Sequence, residues 1–256
     1  MPPVRFARVS VNGAAHFAEV HGDSLALLDG PPWDGGARTG TSVPAAGAPL
    51  LCPVTPRKIL GIGRNYRAHA NEMGGDVPAE PLVFSKAVTS LVGPGGTVLL
   101  PKESARVDYE GELGVVIGRR ARRVSREQAM EHVFGVVPVC DVTARDLQKK
   151  DGQWTRAKGF DTFCPAGPHV VTGLDASSLG VVLAVNGALK QSGNTRDMVF
   201  GIDELVAYLS RFLTLEPGDL VATGTPEGVG PLTAGDVVEV TVESAGTLRF
   251  GVARED

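Results

Sequence analysis

Short apolar runs, interrupted by Gly, Pro, Asn or Asp, dominate the hydrophobic pattern of this chain. Runs of this kind are typical of β-strands. Helical periodicity is rarer and is clearest in residues 125–132 and 202–212. Because these helices do not alternate regularly with the strands, the pattern disfavours a doubly wound or barrel α/β architecture and predicts an α+β protein that is mostly β. The predicted strands are residues 58–62, 82–84, 97–100, 109–117, 133–140, 181–185, 219–223 and 237–242.

The first part of the chain predicts a small N-terminal β domain. An Asn-Gly pair and a Gly-Asp pair interrupt the apolar runs of residues 4–28, as in β-hairpins with tight turns. Residues 30–53 are rich in Gly, Pro, Ala and Thr and lack periodicity, which indicates a linker or a surface loop. We therefore predict a small β domain with its linker in residues 1–52 and a main domain in residues 53–256.

Composition and charge narrow the class of protein. A chain of 256 residues with 43% hydrophobic content can fill a sizeable core. Its net charge of −4 gives no general electrostatic reason to expect nucleic acid or a membrane as a partner. The first residues contain no apolar signal region and no segment approaches the length of a membrane span, so we expect a cytoplasmic protein. The cysteines, Cys52, Cys140 and Cys164, are widely spaced and predict core residues.

Three acidic residues form the most informative polar pattern. Glu110 and Glu112 lie two apart in the predicted strand 109–117, so both carboxylates should point to one side. Asp141 directly follows the predicted strand 133–140. Carboxylates on an apolar strand resist desolvation unless a cation lies between them, and an all-oxygen set favours Mg²⁺, Mn²⁺ or Ca²⁺ over zinc. An exposed strand face with solvated glutamates is the alternative, which this pattern leaves open.

His69 and Glu72 form a second candidate pair. They lie three apart, so one helical turn would place them on the same face, where the carboxylate can orient the imidazole as a general base. A surface helix with an incidental pair is the alternative. Two glycines, Gly74 and Gly75, follow and would permit movement, as in a lid over an active site.

Cationic and amide side chains follow Asp141 along the chain. Arg145, Gln148 and Lys158 could hold a substrate carboxylate and the oxygen that becomes an enolate. The glycine-rich segment 224–230 lacks the Gly-Lys-Ser/Thr of a phosphate-binding loop, although its backbone could approach a ligand closely.

These motifs, taken in order over residues 57–256, resemble the fumarylacetoacetate hydrolase family. The resemblance implies a mixed β-sheet roll, an Mg²⁺ or Mn²⁺ ion held by Glu110, Glu112 and Asp141, and a homodimer. The motifs are GRNY at 63–66, PLVFSK at 81–86, DYEGEL at 108–113, the segment 141–148, WTRAK at 154–158, VNG at 185–187, PGD at 217–219 and GTP at 224–226.

The resemblance also implies a reaction class and residue roles. The substrates would be 2-oxo or 2,4-dioxo acids, cleaved by C–C hydrolysis of the acylpyruvate or fumarylpyruvate type or by decarboxylation of the oxaloacetate type. One alternative is a 2-hydroxyhepta-2,4-diene-1,7-dioate isomerase or decarboxylase of aromatic catabolism, and another is a metal-binding member without catalysis. The implied catalytic residues are His69, Glu72 and Lys158, and the implied substrate contacts are Arg145, Gln148, Thr225 and Lys86.

Overall fold

A computed structural model describes residues 2–72 and 74–255. The predicted class, α+β and mostly β, is confirmed. The strands are β1 (Val4–Val11), β2 (Ala14–His21), β3 (Ser24–Leu28), β4 (Arg38–Pro44), β5 (Leu50–Leu51), β6 (Ile59–Gly63), β7 (Leu82–Lys86), β8 (Leu91–Val92), β9 (Thr97–Leu100), β10 (Val107–Tyr109), β11 (Gly111–Ile117), β12 (Val133–Cys140), β13 (Thr143–Ala144), β14 (Cys164–Pro165), β15 (Val170–Thr172), β16 (Gly180–Val185), β17 (Ala188–Asn194), β18 (Leu220–Ala222), β19 (Gly230–Pro231), β20 (Val237–Val242) and β21 (Gly246–Arg254). The α-helices are α1 (Arg67–Glu72), α2 (Arg126–Ala129), α3 (Arg145–Asp151), α4 (Thr155–Gly159) and α5 (Ile202–Phe212).

Two sheets contain most of the strands. The larger one is eleven-stranded, with the order β4-β3-β2-β1-β15-β12-β11-β18-β6-β7 and with β5 paired to β1. The smaller one is five-stranded, with the order β17-β16-β20-β21-β9. Most neighbours are antiparallel, but β18 runs parallel to β6 and β21 runs parallel to β9. Among the described residues, no helix has the length and apolar character needed to cross a membrane.

Strands β11 and β12 lie in the middle of the large sheet, which is covered on both faces. On one face, Leu113 and Val115 pack with Val136 in the apolar cluster that contains the buried side of α5. On the other face, Val116 and Val137 belong to a separate cluster. This two-sided burial explains why both runs are continuously apolar rather than alternating.

The five-stranded sheet covers the ends of the strands that carry the acidic residues. Its strand β16 contributes Leu183 to the apolar cluster that also contains Tyr109 and Cys140. These two residues immediately precede Glu110 and Asp141. The chain is therefore held by apolar packing at the points where both carboxylates leave their strands.

The two N-terminal hairpins are confirmed. Strands β1 and β2 meet at Asn12 and Gly13, whose φ angles of 51° and 80° fit a tight hairpin turn with both central residues left-handed. Strand β1 also pairs with β15, so the N-terminal strands extend the large sheet rather than forming one of their own. The division of the chain near residue 52 stays a prediction.

Two expectations about local structure are wrong. Residues 30–53 are not an unstructured linker, because they contain β4 and β5. Strand β4 is almost wholly exposed and is held by its backbone pairing with β3 at the sheet edge, so it shows no apolar alternation. The predicted single strand 109–117 is interrupted at Glu110, where β10 and β11 separate into different sheets.

Candidate active site

The three predicted acidic ligands converge. Glu110 lies between β10 and β11, Glu112 lies on β11 and Asp141 follows β12. The antiparallel pairing of β11 with β12 continues past their ends, since the Asp141 N–H donates to the Glu110 carbonyl over 2.8 Å. One carboxylate oxygen from each residue lies within 4.8 Å of the others. All three residues are at most 4% exposed, so the alternative of a solvated strand face is wrong.

Buried cations neutralise two of these carboxylates. The Lys158 ammonium group donates to Glu110 Oε2 over 2.7 Å and to Asp141 Oδ2 over 2.6 Å. Lys86 donates to Asp141 Oδ1 over 2.6 Å, and the Arg145 guanidinium pairs with Glu110. Buried ions of opposite sign have to be paired in this way, because the desolvation of an unpaired charge costs several kcal/mol.

The pKa of Glu112 is shifted in the opposite direction to that of Glu110. Burial, together with the negative charges of Asp141 and Glu110, raises the pKa of Glu112 well above the ordinary value of a glutamate. Burial alone would also raise the pKa of Glu110, but the charges of Arg145 and Lys158 outweigh it and hold that pKa below its usual range. Burial disfavours the charged form of Lys158, but the negative charges of Asp141 and Glu110 outweigh burial and raise the pKa of Lys158. Lys158 is therefore an ammonium ion at neutral pH.

The residues fit a hard divalent cation. Glu112 accepts a hydrogen bond from the Gly224 N–H over 2.8 Å, and Lys158 acts on it only as a nearby charge. A divalent ion held by Glu112, Glu110 and Asp141 would supply the missing positive charge. Carboxylate oxygens are the ligands that Mg²⁺, Mn²⁺ and Ca²⁺ prefer.

A buried amide holds the backbone beside Glu112. Gln191 accepts a hydrogen bond from the Gly111 N–H over 2.8 Å and donates to the Thr225 hydroxyl over 2.8 Å. Thr225 in turn donates to the Gly111 carbonyl over 2.9 Å and lines the cavity in front of the carboxylates. The Thr225 hydroxyl therefore connects the glycine-rich segment 224–230 to β11. Nothing in the residue type of Gln191 indicated this role, because the contact joins positions 80 residues apart.

The predicted base lies in the same cavity. His69, on α1, is 5% exposed and lines the cavity together with Glu110 and Glu112. Its Nδ1 lies 3.2 Å from Glu72 Oε2, so Nε2 is the ring nitrogen left for chemistry. Glu72 also accepts from the Gly228 N–H over 3.1 Å, which connects α1 to the glycine-rich loop. His69 is therefore buried, although Glu72 is exposed, and the role of the pair as base and orienting group stays a prediction.

The predicted substrate contacts divide into two groups. Arg145 and Gln148 line the cavity and are joined by a hydrogen bond of 2.9 Å from Nη1 to Oε1. Lys86 does not line it, because its ammonium group is fully buried against Asp141 and the carbonyl of Val142. Lys86 therefore pairs with the Asp141 carboxylate and does not face the cavity.

Among the cavity residues that were not assigned a role from the sequence are Phe84, Trp154 and Arg64. Phe84 and Trp154 form an apolar wall, with ring centroids 5.4 Å apart, and the Lys158 ammonium group lies 4.9 Å from the centre of the Phe84 ring. Arg64 also lines the cavity. All three lie inside the motifs quoted above, but their residue types did not indicate which of them face the site.

Comparison with known proteins agrees with this geometry. The sequence pattern of the family described as fumarylacetoacetate (FAA) hydrolase C-terminal matches residues 58–253, and the one described as Rv2993c-like, N-terminal, matches residues 4–53. The chain is 45% identical over 242 residues to 2,4-didehydro-3-deoxy-L-rhamnonate hydrolase of Sphingomonas sp. (strain SKA58), covering 90% of this chain and 80% of that protein. It is 46% identical over 209 residues to oxaloacetate tautomerase YisK of Bacillus subtilis (strain 168), covering 77% and 69%.

Solved structures show the same fold. The crystal structure of 2-hydroxyhepta-2,4-diene-1,7-dioate isomerase from Mycobacterium marinum is 40% identical, with a TM-score of 0.91 over 98% of this chain and 99% of that one. The expected mixed β-sheet roll is thereby confirmed. The family pattern spans most of the chain and these relatives are named as a hydrolase, a tautomerase and an isomerase, so the chain belongs to the fumarylacetoacetate hydrolase family.

Proposed function

We propose that this protein is a divalent-metal-dependent enzyme that acts on 2-oxo and 2,4-dioxo carboxylic acids. The reaction is C–C hydrolysis of the acylpyruvate or fumarylpyruvate type, or decarboxylation of the oxaloacetate type. The observation that carries this proposal is that one cavity is lined by the His69 base, by Glu110 and Glu112 and by the Lys158 cation. A proton acceptor and a site for developing negative charge are the two elements that such a cleavage needs.

Charged and polar groups of the cavity bind the end of the substrate that carries the carboxylate and the 2-oxo group. Glu110, Glu112 and Asp141 would hold Mg²⁺ or Mn²⁺, which would supply Lewis acidity toward the 2-oxo acid group of the substrate. Gln148 uses its amide oxygen to accept from Arg145, which leaves its NH₂ group as a donor for the substrate carboxylate.

Hydrolysis then proceeds by proton transfer through His69. Nε2 takes a proton from water while the water oxygen bonds to the distal carbonyl carbon. The C–C bond breaks, its electron pair forms the enolate of pyruvate, and the Lys158 ammonium group stabilises the enolate charge. The proton on His69 passes to the enolate carbon. One water is consumed and a carboxylic acid and pyruvate are formed. With oxaloacetate, loss of CO₂ generates the same enolate without water.

Isomerisation is the second candidate. His69 could take the proton from the 2-hydroxyl oxygen of a 2-hydroxydienoate and return a proton to a diene carbon, which gives the 2-oxo acid without attack by water. The names of two relatives, an oxaloacetate tautomerase and a hydroxyheptadienedioate isomerase, favour this candidate. A metal-binding protein without catalysis is the alternative of another class.

A substrate panel separates these candidates. Purified protein would be stripped with a chelator and assayed on acylpyruvates, oxaloacetate and 2-hydroxydienoates, with and without Mn²⁺. Pyruvate release, CO₂ release and loss of dienol absorbance would be followed separately. We expect metal-dependent pyruvate or CO₂ release. Loss of dienol absorbance alone would establish the isomerase, and no turnover with any compound would contradict an enzymatic function.

Metal titration tests the ligands independently of activity. Glu110→Gln should weaken Mn²⁺ binding measured by calorimetry. Glu239→Gln, at a partly exposed glutamate of β20, should leave that binding unchanged. Undiminished affinity in Glu110→Gln would contradict the proposed site. The expected homodimer stays a prediction that light scattering in solution can check.

A further inference from the structure

Arg64 lies between the inner cavity and a wider outer pocket. It lines both, together with Arg145, Gln148 and Trp154. The outer pocket has a volume of about 610 Å³, against about 50 Å³ for the inner cavity. A molecule whose reacting end occupies the inner cavity can therefore extend its other end past Arg64. The remaining residues that line the outer pocket are Glu72, Arg106, Asp108, Lys149 and Val229.

The outer pocket has more cations than anions. Asp108 is held by two arginines, since Arg106 Nε lies 2.9 Å from its Oδ1 and Arg145 Nε lies 2.9 Å from its Oδ2. Glu72 is occupied by His69 and by a backbone N–H. The pocket thus has a surplus of positive charge that its own carboxylates do not neutralise.

Arg64 contributes to that surplus. Among residues 2–72 and 74–255, its guanidinium has neither a hydrogen-bond partner nor an ion-pair partner, although the residue is only partly exposed. It lies against the backbone of Gly75, where a Cβ atom would come within 2.6 Å of Arg64 Nη1. Glycine at position 75 therefore leaves the space that this guanidinium occupies.

The backbone of Arg64 is strained. Its φ of 57° is left-handed, a conformation that costs about 1 kcal/mol or more in a residue other than glycine. This strained residue directly follows β6. Its guanidinium group, which has five N–H donors, lies where the two pockets meet. An unpaired guanidinium in a partly desolvated pocket is suited to bidentate binding of a carboxylate.

We propose that Arg64 determines specificity by binding a second carboxylate at the far end of the substrate. The inference rests on the proposed function, because it assumes that a 2-oxo acid group occupies the inner cavity. The preferred substrates are accordingly dicarboxylic, with their second carboxylate in the outer pocket.

Matched pairs of unreactive compounds test this assignment. We would measure binding by calorimetry, with Mg²⁺ present, of 2-oxoglutarate against 2-oxopentanoate, 2-oxoadipate against 2-oxohexanoate and 2-oxopimelate against 2-oxoheptanoate. Within each pair only the terminal carboxylate differs. The wild type should prefer the dicarboxylate in at least one pair, by roughly ten- to a hundred-fold, the range for hydrogen bonds to a charged group. Arg64→Met should abolish that preference and leave the affinity for the monocarboxylate unchanged.

Two variants serve as controls. Lys150→Met removes an exposed cation from α3 outside both pockets and should keep the preference. Arg64→Lys keeps the charge but loses the planar fork, so it should retain only part of the preference. If Arg64→Met does not fold, Arg64→Gln provides the same neutral comparison.

The outcomes separate the two proposals. Equal losses for both members of a pair in Arg64→Met would mean that Arg64 only positions the segment at Gly75, and would overturn the assignment. A wild type that binds both members equally well would overturn it too, while leaving the proposed function intact. A wild type that binds no 2-oxo acid would overturn both.

Discussion

The cavity has two sides that are held in different ways. The acidic side, with Glu110, Glu112 and Asp141, lies at the ends of the neighbouring antiparallel strands β11 and β12, which are buried on both faces. The basic side is the six-residue helix α1, which is tied to the glycine-rich loop by the hydrogen bonds of Glu72 and is followed by glycines. The acidic side is a rigid part of the core, whereas the base is carried by a short segment.

This difference has a physical reason. Carboxylates that lose their water need cations and strands fixed around them, since a buried charge out of place costs several kcal/mol. A general base needs its correct position only during the reaction, and a segment that closes over the substrate also excludes water. We therefore expect substitutions on the acidic side to affect folding stability and substitutions on α1 to affect mainly turnover.

Asp141→Asn should have the largest effect. Lys86 and Lys158 would lose an anionic partner while remaining buried, so the free energy of unfolding should fall by about 3–5 kcal/mol. For a chain of this size, that lowers Tm by roughly 6–20 °C in calorimetry. Glu72→Gln is the matched change on α1; its side chain is 34% exposed, and the loss should stay below about 1 kcal/mol. Equal losses in the two variants would remove the contrast between the sides.

His69→Gln should separate activity from stability. Loss of the base should lower kcat by about 10²–10⁴-fold, while Tm stays close to the wild-type value. Single-turnover rates on the substrate identified by the panel, together with calorimetry, measure both quantities. Glu72→Gln should lower kcat less, because it removes only the group that orients the imidazole. A decrease in Tm as large as that of Asp141→Asn would show that α1 belongs to the core.

Glu112→Gln should have the smallest effect, and its sign depends on metal and pH. The pKa of Glu112 in the metal-free fold is raised, so its contribution to stability is present below the unfolded value of about 4.3 and is lost as pH rises through the folded value. At higher pH the metal-free variant, which stays neutral, should melt a few degrees above the metal-free wild type.

Divalent metal should reverse the order of thermal stability, so that the wild type melts above Glu112→Gln. Mn²⁺ should raise Tm of the wild type by stabilising the folded state and should have little effect on Glu112→Gln. Thermal melts between pH 4 and pH 8, with and without Mn²⁺, measure both effects. Parallel pH profiles for the two metal-free proteins would contradict the destabilisation assigned to Glu112.

Local patterns predicted the elements that have strong local causes. The Asn-Gly turn at Asn12, the apolar run that became β12 and the amphipathic helix α5 are all present. Strand β4 was missed because its pairing with β3, rather than its own side chains, makes it a strand. The interruption at Glu110 was missed because it depends on which sheets the flanking residues join.

The sequence alone determined the chemical content of the site: three carboxylates placed by strand period and strand end, and a histidine with a carboxylate one helical turn away. Only the tertiary structure decided how these groups are paired. It placed Lys158 between Glu110 and Asp141 and, among the described residues, left Glu112 without an ion-pair partner and Arg64 unpaired. Periodicity acts over a few residues, whereas the energy of a buried charge depends on groups that the fold brings together from distant parts of the chain.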